Sequence, residues 1–110
     1  FWALVHLVKL GMQANNPEFA GEVLGQALHF YPDAPLLFTL KAKYILTTEG
    51  DFSGALVLMR QALEEAPWKL EWWKQYAMIA RDAEDDEALY EAMQHIQRLT
   101  GRPLMDADER

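Results

Sequence analysis

At 110 residues the chain has the size of one domain, and its formal net charge of -7 argues against nucleic acid and anionic membrane surfaces as partners. Nucleic acid needs Lys and Arg to displace condensed counterions, and this chain is poor in both. Its 51% hydrophobic and 25% charged residues suit a packed core rather than disorder, and with no cysteine it lacks disulfides, thiolate metal sites and cysteine nucleophiles.

No stretch approaches the roughly 20 apolar residues that cross a bilayer, so no direct membrane insertion is expected. Residues 1–10 are strongly apolar, but His6 and Lys9 interrupt them, whereas a secretory signal carries its charge ahead of the apolar run. The chain starts without Met and inside a helical pattern. It is therefore expected to belong to a longer protein, in the cytoplasm or the periplasm, with any membrane tether upstream of residue 1.

The first helix is expected over residues 1–14, with Phe1, Trp2, Leu4, Val5, Leu7, Val8 and Leu10 spread over nearly every side. Such a helix wants burial on more than one face. Asn16 is a candidate N-cap and Pro17 suits a first helical position. The second helix, 17–30, puts Phe19, Ala20, Val23, Leu24, Ala27, Leu28 and Phe30 on or near its core face. Pro32 and Pro35 break the chain before a third helix, 36–48. Gly50 and Asp51 form the next turn, and Asp51 or Ser53 caps a fourth helix, 52–65, with Ala55, Leu58, Met59, Ala62 and Leu63 in one stripe. Pro67 ends it. A fifth helix is expected over 68–82 and a sixth from the acidic residues 84–87 to Thr100, followed by Gly101 as C-cap and Pro103 as a stop. No segment alternates as a half-buried strand does.

Ala20, Leu24, Ala27 and Pro32 recur at a constant offset of 35 as Ala55, Met59, Ala62 and Pro67. Ala88 follows Ala55 by 33, so one turn is expected to differ in length. In the first helices, Trp73, Tyr76, Ala77 and Ala80 give a fair match to a W-x2-L-G-x2-Y pattern. Phe38, Lys41, Ala42 and Ile45 match it loosely, and Leu4, Leu7, Val8 and Gly11 more loosely still. Helix pairs with this period and wording resemble the tetratricopeptide (TPR) family, and the resemblance covers residues 1–102. It implies an all-α, right-handed superhelical array of three antiparallel helix pairs, 1–33, 34–67 and 68–101, with a polar tail over 104–110.

In that family the first helices of successive pairs line a concave groove that takes a partner segment. The resemblance places Trp2, Val5, Lys9, Met12 and Gln13 there from the first pair. The second pair gives Thr39, Lys43 and Thr47 or, one residue out of register, Leu40, Tyr44 and Thr48. The third gives Glu71, Lys74, Met78 and Arg81, with Trp73 beside them. Lys9, Lys43, Lys74 and Arg81 would form a basic strip able to steer an acidic segment. Val5 and Lys9 do not match the carboxylate clamp of chaperone-binding TPR proteins, so binding of a chaperone tail is not expected.

The ends differ. The sixth helix carries Glu87, Glu91, Gln94, Gln97 and Arg98 opposite a single apolar stripe, as a terminal helix needs. The first has no polar side, which leaves three ways to cover it: further repeats upstream, its own neighbours, or a second copy meeting Phe1, Trp2, Leu4, Val5 and Val8.

Catalysis finds no support. His6, His29 and His95 lie on three helices and never at i, i+4, so neither zinc nor another metal is expected. The acidic run 84–87 lacks the calcium-loop pattern and suits a helix start. No nucleophile-elbow, phosphate-loop or dinucleotide motif is present, and no cofactor is expected. Trp72 and Trp73 lie about 100° apart around a helix. One should pack against the neighbouring pair; buried packing is the default for these rings, and an anchor on the exposed inner surface of the array is the alternative for the other. The sequence thus points to a non-catalytic scaffold that holds a protein or peptide. A self-associating structural module, and a regulatory TPR domain attached to an envelope, secretion or polysaccharide-export system, are the alternatives.

Overall fold

One turn design, used three times, folds the chain into helix pairs. In each, a residue with left-handed backbone ends a helix: Asn15 (φ 56°), Gly50 (φ 65°) and Glu84 (φ 57°). An Asx residue follows and caps the next helix. Asn16 accepts from the Phe19 N–H at 3.3 Å, Asp51 from Gly54 at 2.9 Å and Asp85 from Ala88 at 3.1 Å. Each such bond satisfies one of the N–H groups that a helix start leaves without a partner, at about 1 kcal/mol.

The computed structural model describes residues 1–101, so the tail expected over 104–110 lies outside them. The described residues form six helices and no strand: α1 (Trp2–Gln13), α2 (Pro17–Phe30), α3 (Pro35–Glu49), α4 (Phe52–Glu65), α5 (Leu70–Asp82) and α6 (Asp86–Thr100). Pro17 and Pro35 each stand in a first helical turn, where no N–H is needed. Gly101 caps α6 with φ 80°. The caps recur at Asn16, Asp51 and Asp85, that is, after 35 and then 34 residues. By that register Ala88 answers to Gly54, not to Ala55. The unequal spacing traces to the helix before the cap, since α3 has 15 residues and α5 has 13.

Each helix packs on the next in chain order, and α1 also reaches α3. The molecule measures 42 × 24 × 24 Å, longest along one axis. Its core has two parts joined by α3. Leu37 and Leu40 pack with Val5, Val8, Val23, Leu24 and Ala27, while Ala42 and Ile45 belong with Met59, Tyr76, Ala92 and Ile96. Tyr44 packs against both. At the α1–α2 crossing Gly11 lets the backbones close up: a Cβ there would stand 3.1 Å from the Ala20 amide nitrogen.

Four sequence expectations are corrected by this packing. Val5 and Val8 (0% exposed) lie inside the first core, and Phe1 and Leu4 are half-buried, so these four are not a free face for a second copy. Of that set only Trp2 is largely exposed, at 70%, while Leu7 and Leu10 also face outward. Phe19 and Phe30 are exposed rather than core residues. Phe30 sits in the last turn of α2, past the buried stripe that ends at Ala27. Finally, α5 begins at Leu70, leaving Trp68 exposed in the turn before it.

Candidate functional site

Side chains of α1, α3 and α5 line a groove made of two cavities that share Lys43. Their spacing is that of one helix face: Lys9, Met12 and Gln13 on α1; Thr39, Lys43 and Thr47 on α3; Gln75, Met78 and Asp82 on α5. The groove holds two cavities. The first, of about 390 Å³, lies between α1 and α3 and is lined by Lys9, Met12, Gln13, Leu40, Lys43 and Thr47. The second, of about 300 Å³, lies between α3 and α5, and α4 contributes Phe52 and Met59 to its wall. Leu46, Met78 and Ile79 make that wall largely apolar, with Asp82 as its one carboxylate. Lys43 lines both cavities and joins them.

The two ends differ in charge. Neither Lys9 nor Lys43 makes an ion pair among the described residues, although the whole chain carries a net charge of -7. Lys74 pairs with Glu71 and Arg81 with Asp82, each at 3.8 Å on exposed surface. Neither Lys74 nor Arg81 lines either of these two cavities. The expected basic strip therefore shortens to its α1–α3 half, where no carboxylate lines the wall.

Lys9, Met12, Gln13, Lys43 and Met78 are thus brought to the groove, and Trp73 is not. Only 5% exposed, Trp73 stacks flat on the His95 ring at 3.9 Å between centroids, and its indole N–H donates to the Pro67 carbonyl at 2.9 Å. It is a core residue with a satisfied polar edge. Trp72 is half-buried, with the Lys69 ammonium 5.3 Å from its ring centroid. Tyr44 lines neither of these cavities but a third, small one beside the first, with Met12, Thr47 and Thr48. Its hydroxyl donates to the Pro17 carbonyl at 3.2 Å, and it packs so close to Gly21 that a Cβ there would meet the phenolic oxygen at 2.5 Å. On α3, Thr39, Lys43 and Thr47 line the cavities together with Leu40, so the groove draws on both registers.

Sequence reasoning missed Phe52, Leu46, Gln75 and Asp82 in the second cavity. For Asp82 and Gln75 the signal was present, since both share the α5 face of Met78. Phe52 opens α4 and gave none. Also missed was a junction of three helices. The Arg60 guanidinium donates to the Tyr76 hydroxyl and, at 3.0 Å, to Glu91 Oε1. The Tyr76 hydroxyl donates to that same oxygen at 3.2 Å. Burial raises the Tyr76 pKa above its ordinary value, so the phenol holds its proton there.

Among the described residues no group of three or more metal-ligating side chains comes together, and no helix is long and apolar enough to cross a membrane. No protein-family model and no curated protein matches the chain.

Proposed function

We propose that this chain is a non-catalytic interaction module that holds a segment of a partner protein in the groove of α1, α3 and α5. One observation carries the reading: side chains at helix-face spacing on the first helices of all three pairs line two partly apolar cavities that have Lys43 in common. The repeated turn and the packing of each helix on the next support a TPR-like, right-handed superhelical array. In such an array repetition, rather than a catalytic constellation, creates the binding surface. The groove walls offer apolar area with a few polar groups, as peptide grooves do.

The test is a peptide-display selection on the whole chain. Ligands should bind the unaltered protein and lose binding when Met78→Trp or Gln13→Trp fills the groove. They should keep binding when the exposed α4 position is changed by Gln61→Trp. Ligands indifferent to the groove substitutions would defeat the reading.

A second reading, self-association, is favoured by the exposed Trp2, Leu7 and Leu10 on α1. Light scattering over a concentration series checks it. Mass should rise with concentration and the rise should weaken in Trp2→Ser, whereas a concentration-independent monomer rules it out.

A further inference from the structure

The two cavities differ in what they can take, and Lys43 fixes their order. We infer that the occupant is a linear segment of a partner protein with a carboxylate side chain beside an apolar one. The carboxylate lies between Lys9 and Lys43, and the apolar group enters the α3–α5 cavity. This deepens the proposed function and rests on it.

Three observations select that chemistry. Lys9 and Lys43 line one cavity, have no ion-pair partner among the described residues, and have no carboxylate beside them in the wall. Two ammonium groups flanking a cleft repel each other and favour an anion between them. The second cavity presents Leu46, Phe52, Met78 and Ile79, which gain from an apolar side chain, and its one cation is the Lys43 that it shares with the first cavity. Its volume of about 300 Å³ stands at the small end of the roughly 300–1,000 Å³ typical of ligand clefts, which suits one or two side chains better than a cofactor. Asp82, 3.8 Å from Arg81, also lies in that second wall, so an acidic residue gains less there than between the two lysines of the first cavity. A segment acidic throughout therefore gains less at the α5 end than one with an apolar side chain there, and a basic one is repelled at the α1 end. Selectivity comes as much from the rejected segments as from the accepted one.

The lysines are exposed, so each contact is worth little alone and is screened by salt. The apolar side chain supplies most of the affinity, and the charge pair sets orientation and rate of encounter.

The probe is a set of short synthetic peptides blocked at both ends: Asp-Glu-Ser-Leu-Phe, its reversed order, a charge-swapped Lys-Arg-Ser-Leu-Phe, and an apolar-deleted Asp-Glu-Ser-Ser-Ser. Binding is followed on the whole chain by amide chemical-shift perturbation in two-dimensional NMR. One order of the acidic–apolar peptide should shift Lys9, Lys43 and Met78 amides and bind about tenfold tighter than the charge-swapped one, a difference of about 1.4 kcal/mol. In Lys9→Glu/Lys43→Glu that preference should invert, while the apolar-deleted peptide should bind poorly to both proteins. If the charge-swapped peptide binds the unaltered chain equally well in the groove, the inference fails and the groove reading stands. If no peptide shifts a groove amide, both fail. Groove shifts that follow protein concentration without peptide would make the occupant a second copy and overturn the inference.

Discussion

Two glycines that look alike in the sequence stand in opposite situations. Both Gly11 and Gly25 are helical, and alanine is favoured over glycine in a helix by about 1 kcal/mol. At Gly25 an added Cβ meets nothing within 4 Å, so Gly25→Ala should stabilise by about 0.5–1 kcal/mol. At Gly11 the same atom stands 3.0 Å from the Phe19 ring and 3.1 Å from the Ala20 nitrogen. The ring can turn aside, but backbone on α2 cannot move without opening the pair. Overpacking of this kind costs about 1–3 kcal/mol, which outweighs the helical gain. Gly11→Ala should therefore destabilise by about 1 kcal/mol net, seen as a lower urea midpoint with an unchanged slope. Equal effects at the two positions would mean that α1 and α2 do not close on Gly11.

Among elements, the joint between α4, α5 and α6 rests on Arg60, Tyr76 and Glu91, and only Tyr76 of the three is deeply buried. Tyr76→Phe leaves Arg60 and Glu91 paired with each other, so its cost should stay near 1 kcal/mol at neutral pH. The pH dependence is more diagnostic. Burial raises the folded-state pKa of Tyr76, so the unfolded chain gives up this proton first as pH rises. Its contribution is whole below the ordinary value of 10.0 and declines as pH climbs through the raised folded value. Denaturation of the two proteins from neutral pH to above 10 should show the unaltered chain losing the more stability. Parallel curves would remove Tyr76 from the joint. How much of this architecture could be read in the sequence divides along the same line. Asn16, Asp51 and Gly101 were legible because a cap is decided by residues within one turn. Lys9, Met12 and Gln13 on α1 and part of the α3 stripe were reached through the family resemblance, which also put the buried Val5 among them. The inward rotation of Trp73 was not legible, since it depends on the Pro67 carbonyl and on His95, a residue on another helix. The contacts of Tyr44 were hidden for the same reason: its direction is set by Gly21 and Pro17 on α2.

For the whole molecule, the order of packing sets how stability should be distributed. The first core draws on α1, α2 and the start of α3, and the second on the rest of α3 with α4, α5 and α6. No side chain of α5 or α6 belongs to the first core. In a chain whose elements lean mainly on their sequence neighbours, damage at one end should loosen that end before the other. Trp73→Ala supplies the damage. It removes a ring that spans α5, His95 on α6 and the Pro67 carbonyl, and such a truncation costs about 3–5 kcal/mol. Native-state hydrogen exchange should then show α5 and α6 amides losing protection by much more than those of Val8 on α1 or Leu24 on α2. Leu40 and Ile45 should fall between, because α3 belongs to both cores. A uniform loss along the chain would mean that the six helices unfold as one unit. The pairwise account of the array, and with it the groove as a surface made by repetition, would then have to be abandoned.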